Sequence, residues 1–132
     1  MKVKGVLLDV GAPRGSVSVI DLEEDDLEEF YKALNCNTID ITARKVGDRE
    51  FDFVCDDEGL LQENPTMSAI GPDGKFMFVG NLFICNRYKE HLASLSVDDI
   101  NHILKNVIVI SMAQYKTSET HTFPVLTNVQ YV

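Results

Sequence analysis

The chain has 132 residues, about the length of one ordinary domain of roughly 100–200 residues. Hydrophobic residues make up 45% of it and charged residues 25%, and these globular proportions exclude a disordered chain, a collagen and a coiled-coil rod. The 21 acidic and 12 basic residues give a net charge of −9, so the long-range field of the protein repels nucleic acid and anionic lipid. We therefore expect neither direct nucleic-acid binding nor membrane binding.

The apolar runs and the cysteines indicate a compartment. No apolar run approaches the roughly 20 residues of a membrane-spanning helix, and the run that ends at Asp9 is too short for a secretion signal. Cys36, Cys55 and Cys85 lie in or beside apolar stretches without Cys-x-x-Cys spacing, which is typical of reduced, buried thiols. Carboxylates directly follow Cys55 and should raise the pKa of its thiol. We expect a cytoplasmic protein without a catalytic cysteine.

The first third of the chain predicts a hairpin followed by a helix. Residues 3–9 and 16–20 have strand-like patterns, separated by a turn that contains glycine and proline. Apolar residues then repeat at positions i, i+3, i+4 and i+7, namely Leu27, Phe30, Tyr31 and Leu34. That spacing is typical of one helix face, and Asp21 with Glu24 resembles a capping box. The pattern predicts that the helix begins near Asp21.

The middle of the chain predicts a second hairpin, a loop and a long strand. Residues 38–46 and 50–55 contain alternating polar and apolar side chains around a short turn. Residues 56–74 have no clear period and are rich in turn dipeptides, so they form the longest predicted loop. Residues 75–86 follow as a long apolar strand, in which Gly80 marks a bulge or a close backbone approach.

The last third predicts a second helix and further strands. Ser96 and Asp99 have the spacing of a reciprocal cap at the helix start. The β-branched residues 107–110 favour a buried strand, and Pro124 confines the weakly alternating tail to a sheet edge.

Hairpins interleaved with only two amphipathic helices predict a single α+β domain over residues 1–132. We expect a mostly antiparallel sheet of five to seven strands with two helices packed on one face. Residues 113–132 would form an edge strand or an extension.

Several short motifs follow one another in the middle of the chain. Asp56-Asp57-Glu58-Gly59-Leu60-Leu61 precedes Glu63-Asn64-Pro65, the strand Phe78-Val79-Gly80-Asn81-Leu82-Phe83-Ile84, and the helix start Leu95-Ser96-Val97-Asp98-Asp99-Ile100. In this order, over about residues 3–106, the chain resembles the bacterial and phage family called domain of unknown function 3846. Asn81 departs from the threonine or alanine usual there. The resemblance implies a small accessory protein of a mobile element or its host, and it brings no activity, cofactor or catalytic residue.

Enzyme and metal motifs are missing from the sequence. There is no phosphate-binding glycine loop, nucleophile elbow or zinc-protease motif. His91, His102 and His121 are too scattered to pair locally as zinc ligands, and the alternating oxygen pattern of a calcium loop is absent around Asp56. We therefore name no catalytic, cofactor-binding or metal-binding residue, and the sequence favours a non-enzymatic protein.

One strongly acidic run stands out near the first helix. Seven of nine residues are carboxylates, namely Asp21, Glu23, Glu24, Asp25, Asp26, Glu28 and Glu29. Residues 21–63 hold 15 acidic and four basic residues, a net charge of −11, whereas the remaining chain carries +2. As a helix, the run would extend roughly 12 Å with one charge about every 1.7 Å, near the axial charge density of duplex DNA. The plain alternative is a solvated acidic face at a helix N-terminus.

These patterns favour a non-enzymatic binding or regulatory protein in a mobile-element setting. It would contact a protein partner, and a basic nucleic-acid-binding protein is the more specific form of this hypothesis. The acidic contact surface would consist of Glu23, Glu24, Asp25, Asp26, Glu28 and Glu29. An antirestriction-like or anti-defence inhibitor that mimics DNA is the first alternative.

Two further alternatives concern other segments. The loop over residues 56–74 would have a ligand-binding or enzymatic role, since long irregular loops are often functional, and its candidate residues are Asp56, Asp57, Glu58 and Asn64. The C-terminal residues 114–132 would add a strand to a neighbouring copy and so form a homo-oligomer.

Overall fold

The computed structural model describes residues 1–62, 65–113 and 119–132. Its strands are β1 Lys2–Asp9, β2 Ser16–Glu23, β3 Ile39–Val46, β4 Arg49–Asp56, β5 Met67–Ile70, β6 Phe76–Val79, β7 Leu82–Tyr88, β8 His91–Ala93, β9 Val107–Ala113, β10 Thr120–Leu126 and β11 Val129–Tyr131. Its helices are α1 Leu27–Leu34 and α2 Val97–Leu104, and Gly59–Leu61 forms one 3-10 turn. The predicted α+β class with mostly antiparallel strands is confirmed.

The described strands form two sheets. The large sheet has the order β11-β3-β4-β7-β1-β2, with β8 paired to β7, and the small sheet has the order β6-β5-β10-β9. Among the described strands, β5 and β10 are the one parallel pair, and Arg14 forms an isolated parallel bridge with Thr122. The large sheet has seven strands, within the predicted range of five to seven, but the prediction of a single sheet is wrong.

Gly80 is the main reason for the second sheet. The predicted strand over residues 75–86 breaks there, because Gly80 adopts φ +79° and its N–H donates a hydrogen bond of 2.8 Å to the carbonyl of Thr66. The chain turns at this point, so β6 joins the small sheet and β7 continues in the large one. Gly80 thus ends a strand and does not form a bulge within it.

Alternation along β7 separates the two faces of the large sheet. Leu82 and Ile84 belong to a core cluster shared with the small sheet and with Ile103 of α2. Phe83 and Cys85 point to the other face, where they join Phe30 of α1. The rings of Phe30 and Phe83 meet edge to face at 5.8 Å. The helices therefore lie on opposite faces, and the prediction that both pack on one face is wrong.

The starts of the two helices differ in how well the sequence predicts them. Strand β2 continues through the predicted cap Asp21 to Glu23, because its alternating apolar side chains complete the core beside α1. The N-cap is Asp26, whose carboxylate accepts a hydrogen bond of 3.3 Å from the N–H of Glu29. The start at Asp21 is therefore wrong. The cap of α2 is confirmed, since Ser96 and Asp99 bond each other's N–H groups.

The last strands are arranged differently from the prediction. Residues 107–110 do lie in a strand, but β9 is an edge of the small sheet, so the side chain of Val109 is 68% exposed and not buried. Pro124 lies in the interior strand β10, so its prediction as a sheet-edge residue is wrong. Strand β11, in contrast, does form an edge of the large sheet beside β3.

Hydrogen-bond direction explains why β10 tolerates a proline. Thr122 directs both its N–H and its carbonyl away from β9, toward the carbonyl of Pro13 and the N–H of Gly15. Pro124, two residues later, has the same direction, because backbone polar groups alternate along a strand. The missing N–H of Pro124 therefore removes no hydrogen bond to β9.

Candidate functional site

A cavity of about 760 Å³, called the main cavity below, lies beside the loop that the sequence singled out. It is bordered by the ends of β1 and α1, by the 3-10 turn, and by strands of the small sheet. Its apolar walls include Val10, Leu34, Met67, Phe76, Met112 and Phe123. Among the described residues, its polar side chains are Asn35, Asp56, Gln62, Thr66, Asn81 and His121. A few polar groups thus converge on a mostly apolar space.

Asn81 holds two walls of the main cavity together. Its side-chain oxygen accepts a hydrogen bond of 2.9 Å from the N–H of Val10, at the end of β1. Its side-chain nitrogen donates to the carbonyl of Ala33 in the last turn of α1, at 3.4 Å. Alanine at this position could make neither contact, and threonine has only one hydroxyl oxygen where the asparagine amide uses two separate atoms. Asn81 therefore has a structural role in this chain.

His121 presents a defined hydrogen-bonding surface beside the cavity. Its Nε2 lies 2.9 Å from the carbonyl of Val10 and must donate, since a carbonyl only accepts. Its ring packs 4.8 Å from the ring of Phe123, which further fixes its orientation. In the neutral ring, Nδ1 is then an acceptor, and it makes no hydrogen bond within the described residues. An incoming donor could use it.

Asp56 orders the start of the loop. One carboxylate oxygen accepts a 2.9 Å hydrogen bond from the N–H of Glu58, and the other accepts a 3.5 Å bond from the side chain of Gln62. Buried Gly59 lets the turn pack closely, because a Cβ there would lie 3.2 Å from Cγ2 of Val79. These contacts hold the 3-10 turn against β6.

The structure separates the four loop residues named from the sequence. Asp56 lines both the main cavity and a second cavity of about 350 Å³ beside the 3-10 turn. Asp57 and Glu58 line only the second cavity. Asn64 lies outside the described residues.

The carboxylates of the acidic segment, residues 21–29, are largely engaged within the molecule. The contacts are Asp21 with Lys4 at 3.4 Å, Glu29 with Lys2 at 3.8 Å, Glu24 with His91 at 2.7 Å, and Glu23 with the N-terminal amine of Met1. Asp26 caps α1. Asp25 and Glu28 are exposed and make no hydrogen bond or ion pair within the part of the chain that the structure describes. The segment is divided among β2, a turn and α1, so the picture of one continuous acidic helix is wrong.

The three thiols are poor nucleophiles. Burial raises the pKa of Cys55 to about 11, with further contributions from Asp40, Asp56 and Asp57, which confirms the direction expected from the sequence. Burial, aided by Asp52, likewise raises the pKa of Cys85 to about 12. Burial also raises the pKa of Cys36. Near neutral pH each thiol stays protonated, and the thiolate is the reactive form.

Sequence reasoning missed most of the main cavity. Its polar side chains come from the end of α1, the loop, the start of β7 and β10, which are far apart in the chain. No local spacing connects His121 with Asn81, since only the pairing of strands brings them together. The one available signal was the unusual amide at Asn81. Within residues 1–62, 65–113 and 119–132, no group of three or more metal-ligating side chains is brought together.

Comparison with known proteins gives a family without an activity. No curated protein and no solved structure matches the chain. Residues 3–108 match the family described as Domain of unknown function (DUF3846), which confirms the resemblance drawn from the motif order. This match covers most of the chain, from the second residue of β1 through α2 to the start of β9. The chain belongs to the DUF3846 family.

Proposed function

We propose that this protein binds a small, predominantly apolar molecule in the main cavity. The observation that carries the proposal is the cavity itself, whose volume of about 760 Å³ lies within the range of roughly 300–1,000 Å³ typical of small-molecule sites. Apolar walls supply contact area, and a few fixed polar groups orient the ligand. The proposal develops the alternative that the sequence suggested for residues 56–74.

The charge of the walls supports an uncharged or cationic ligand. No lysine or arginine lines the cavity among the described residues, whereas the carboxylate of Asp56 does. The ring of His121 offers an acceptor at Nδ1. The net charge of −9 also repels anions at longer range. A ligand with an apolar body and one or two hydrogen-bond donors fits these groups best.

A fluorescent probe tests the proposal without knowledge of the natural ligand. The uncharged dye N-phenyl-1-naphthylamine should bind the native protein with one saturable site, and the anionic dye 1-anilinonaphthalene-8-sulfonate should bind more weakly. Leu60 is 70% exposed and lines the cavity, so Leu60→Asp should leave the fold intact and place a charge at the apolar wall. We expect binding of the uncharged dye to weaken about tenfold, equivalent to a loss of about 1.4 kcal/mol.

Val97→Asp is the matched control. Val97 is 76% exposed, lies in α2 and does not line the cavity. The control should bind the uncharged dye like the wild type. Equal affinity of both variants, or the absence of saturable binding to the wild type, would contradict a ligand site in the main cavity.

Fewer observations support the alternative function, in which the acidic segment binds a protein partner. Asp25 and Glu28 are the carboxylates of the acidic segment that stay free of internal bonds within the described chain, and both are exposed near the start of α1. Contact of this surface with a basic protein, including DNA mimicry, stays a prediction from the sequence. The mobile-element setting and the cytoplasmic location stay predictions too. In the ranges that the structure describes, no helix has the length and apolar character needed to cross a bilayer.

A further inference from the structure

Strand β9 carries a row of backbone groups that point away from its sheet. Ser111 pairs with Thr122, whose N–H and carbonyl both point away from β9. In an antiparallel ladder such a pair is a non-hydrogen-bonded one, so the N–H and carbonyl of Ser111 point outward as well. Their hydroxyl groups lie 3.0 Å apart, as expected for the closer spacing of such pairs. By alternation, Val107, Val109 and Ala113 have the same outward direction.

This edge is unusually unprotected. Its sequence, Val-Ile-Val-Ile-Ser-Met-Ala, contains neither a charged residue nor a proline. Val109 is 68% exposed, Met112 54% and Ile108 44%. Natural proteins normally blunt a free edge with charge, proline or short length, because exposed strand edges recruit further strands.

The other sheet ends differ from β9 in these respects. Strand β2 carries Asp21 and Glu23, while β6 has four residues and β11 has three. Among the described edges, β9 combines seven residues with the complete absence of charge. The structure therefore singles out one edge for strand addition.

We propose that β9 pairs with β9 of a second copy, antiparallel, around a twofold axis at Ile110. In this register Val109 lies opposite Ser111 and Val107 lies opposite Ala113, so outward-facing donors meet outward-facing acceptors on both sides of the axis. The two small sheets become one continuous eight-stranded sheet. This interaction surface uses residues 107–113, not the tail after them. It rests on the backbone of β9 and not on ligand binding, although Met112 and Ala113 at its end also line the main cavity.

Side-chain chemistry favours a second copy as the occupant. Ile108, Ile110 and Met112 share one face of β9, and Ile110 packs against the core cluster of Val10, Phe123 and Val125. In the antiparallel register, Ile110 meets its own equivalent, and Ile108 meets Met112. The apolar cluster thus continues across the axis. Because β9 is uncharged, two chains of net charge −9 can meet there without placing carboxylates in the seam.

The first test is the mass of the protein in solution over a wide range of concentration, by sedimentation. The wild type should reach twice the 14.8 kDa chain mass as concentration rises. Val109→Lys should remain a monomer at concentrations where the wild type is a dimer, because a charged side chain at an exposed edge position opposes pairing. Val97→Lys, at an exposed position of α2, is the control and should still form dimers.

Amide hydrogen exchange locates the interface. The N–H groups of Val109 and Ser111 should exchange fast in dilute protein and slowly in concentrated protein, while those of Ile108 and Ile110, which face β10, should be protected in both. A strictly monomeric wild type would overturn the proposal. A dimer that persists in Val109→Lys, or one in which the amides of Val109 and Ser111 stay unprotected, would also overturn it.

Discussion

The acidic segment and the main cavity show opposite relations between sequence and surface. The acidic segment is the most conspicuous feature of the sequence, yet most of its carboxylates are bonded to groups of the same chain. The main cavity has almost no local signature, yet it gathers six polar side chains from separate elements around an apolar space. A dense run of charge therefore does not by itself provide a free charged surface.

The difference has a simple geometric cause. Charged side chains that are close in the sequence can form ion pairs or hydrogen bonds with each other or with the adjoining strand. Asp21, for example, pairs with Lys4 across the β1–β2 hairpin. A concave site instead requires side chains that converge from distant parts of the sequence. Local patterns predict elements well, whereas the surface that these elements enclose depends on how they pack.

The largest expected effect tests whether Asn81 holds the walls of the main cavity together. Asn81→Ala removes the hydrogen bonds with Val10 and Ala33 and leaves the N–H of the buried residue Val10 without its partner. We expect a loss of about 1–3 kcal/mol in the free energy of unfolding, measured by urea denaturation. Binding of the uncharged dye should weaken as well, because the walls at β1 and α1 lose their link.

Asn37→Ala serves as the control for that variant, since Asn37 is exposed and has no hydrogen bond among those of the described chain. It should change the free energy of unfolding by less than about 0.5 kcal/mol. If Asn81→Ala behaves like this control, Asn81 is not what holds the cavity walls.

A smaller effect separates structural from free carboxylates within the acidic segment. Asp26→Ala removes the N-cap of α1 and should cost about 1 kcal/mol of stability. Asp25→Ala, one residue earlier, should change stability by less than about 0.5 kcal/mol. Thermal and urea unfolding of the two variants would measure the difference. Equal losses would show that the N-cap hydrogen bond of Asp26 contributes nothing beyond the effect of removing one carboxylate.

The smallest expected effect is on stability at low pH, and it arises at Asp99, outside the acidic segment and the main cavity. Burial raises the pKa of Asp99, but hydrogen bonds from Asn86 and Ser96 and the charge of Arg49 outweigh it, so the net pKa falls below its ordinary value of 3.8. The folded state therefore favours the ionised carboxylate. Its contribution to stability is complete above about pH 4 and is lost as the pH falls through the lowered pKa.

Asp99→Asn should remove this component of the acid dependence. The variant loses part of the cap at neutral pH, but its free energy of unfolding should then decline less steeply than that of the wild type below about pH 4. Urea titrations at a series of pH values give both slopes. Parallel slopes would exclude Asp99 as a source of acid sensitivity.

The sequence predicted the local elements better than their assembly. The spacing of Ser96 and Asp99 identified the start of α2, because a capping box is a contact between near neighbours. The start of α1 was misplaced, because the acidic residues after Ile20 suit a helix N-terminus while Leu22 is needed in the core of a strand. The burial of β9 was overestimated for the same reason, since β-branched residues indicate a strand but not its place in a sheet.

The main cavity was likewise hard to predict, because it depends on how distant elements pack together. Residues 56–74 were predicted to be a loop with a ligand-binding or enzymatic role, and Asp56 does line the main cavity. The prediction of a loop over the whole stretch is wrong, because Met67–Ile70 form β5 in the small sheet. His121 could not be connected with the loop, because the pairing of β10 with β5 is what carries it there. The division into two sheets at Gly80 was also hidden, because a glycine within an apolar run is compatible with a bulge and with a break.

The position of β10 has a consequence for what counts as the unit of this fold. The family match ends at residue 108, within β9, whereas β10 occupies the interior of the small sheet and β11 extends the large one. A fragment cut at the end of the match would lack the strand that joins β5 to β9 and would lose Phe123, Val125 and Leu126 from the core. The segment that matches the family, residues 3–108, is thus shorter than the segment that forms the two sheets. Relatives are best aligned over residues 3–108, whereas proteins for experiment are best expressed with β10 and β11 included.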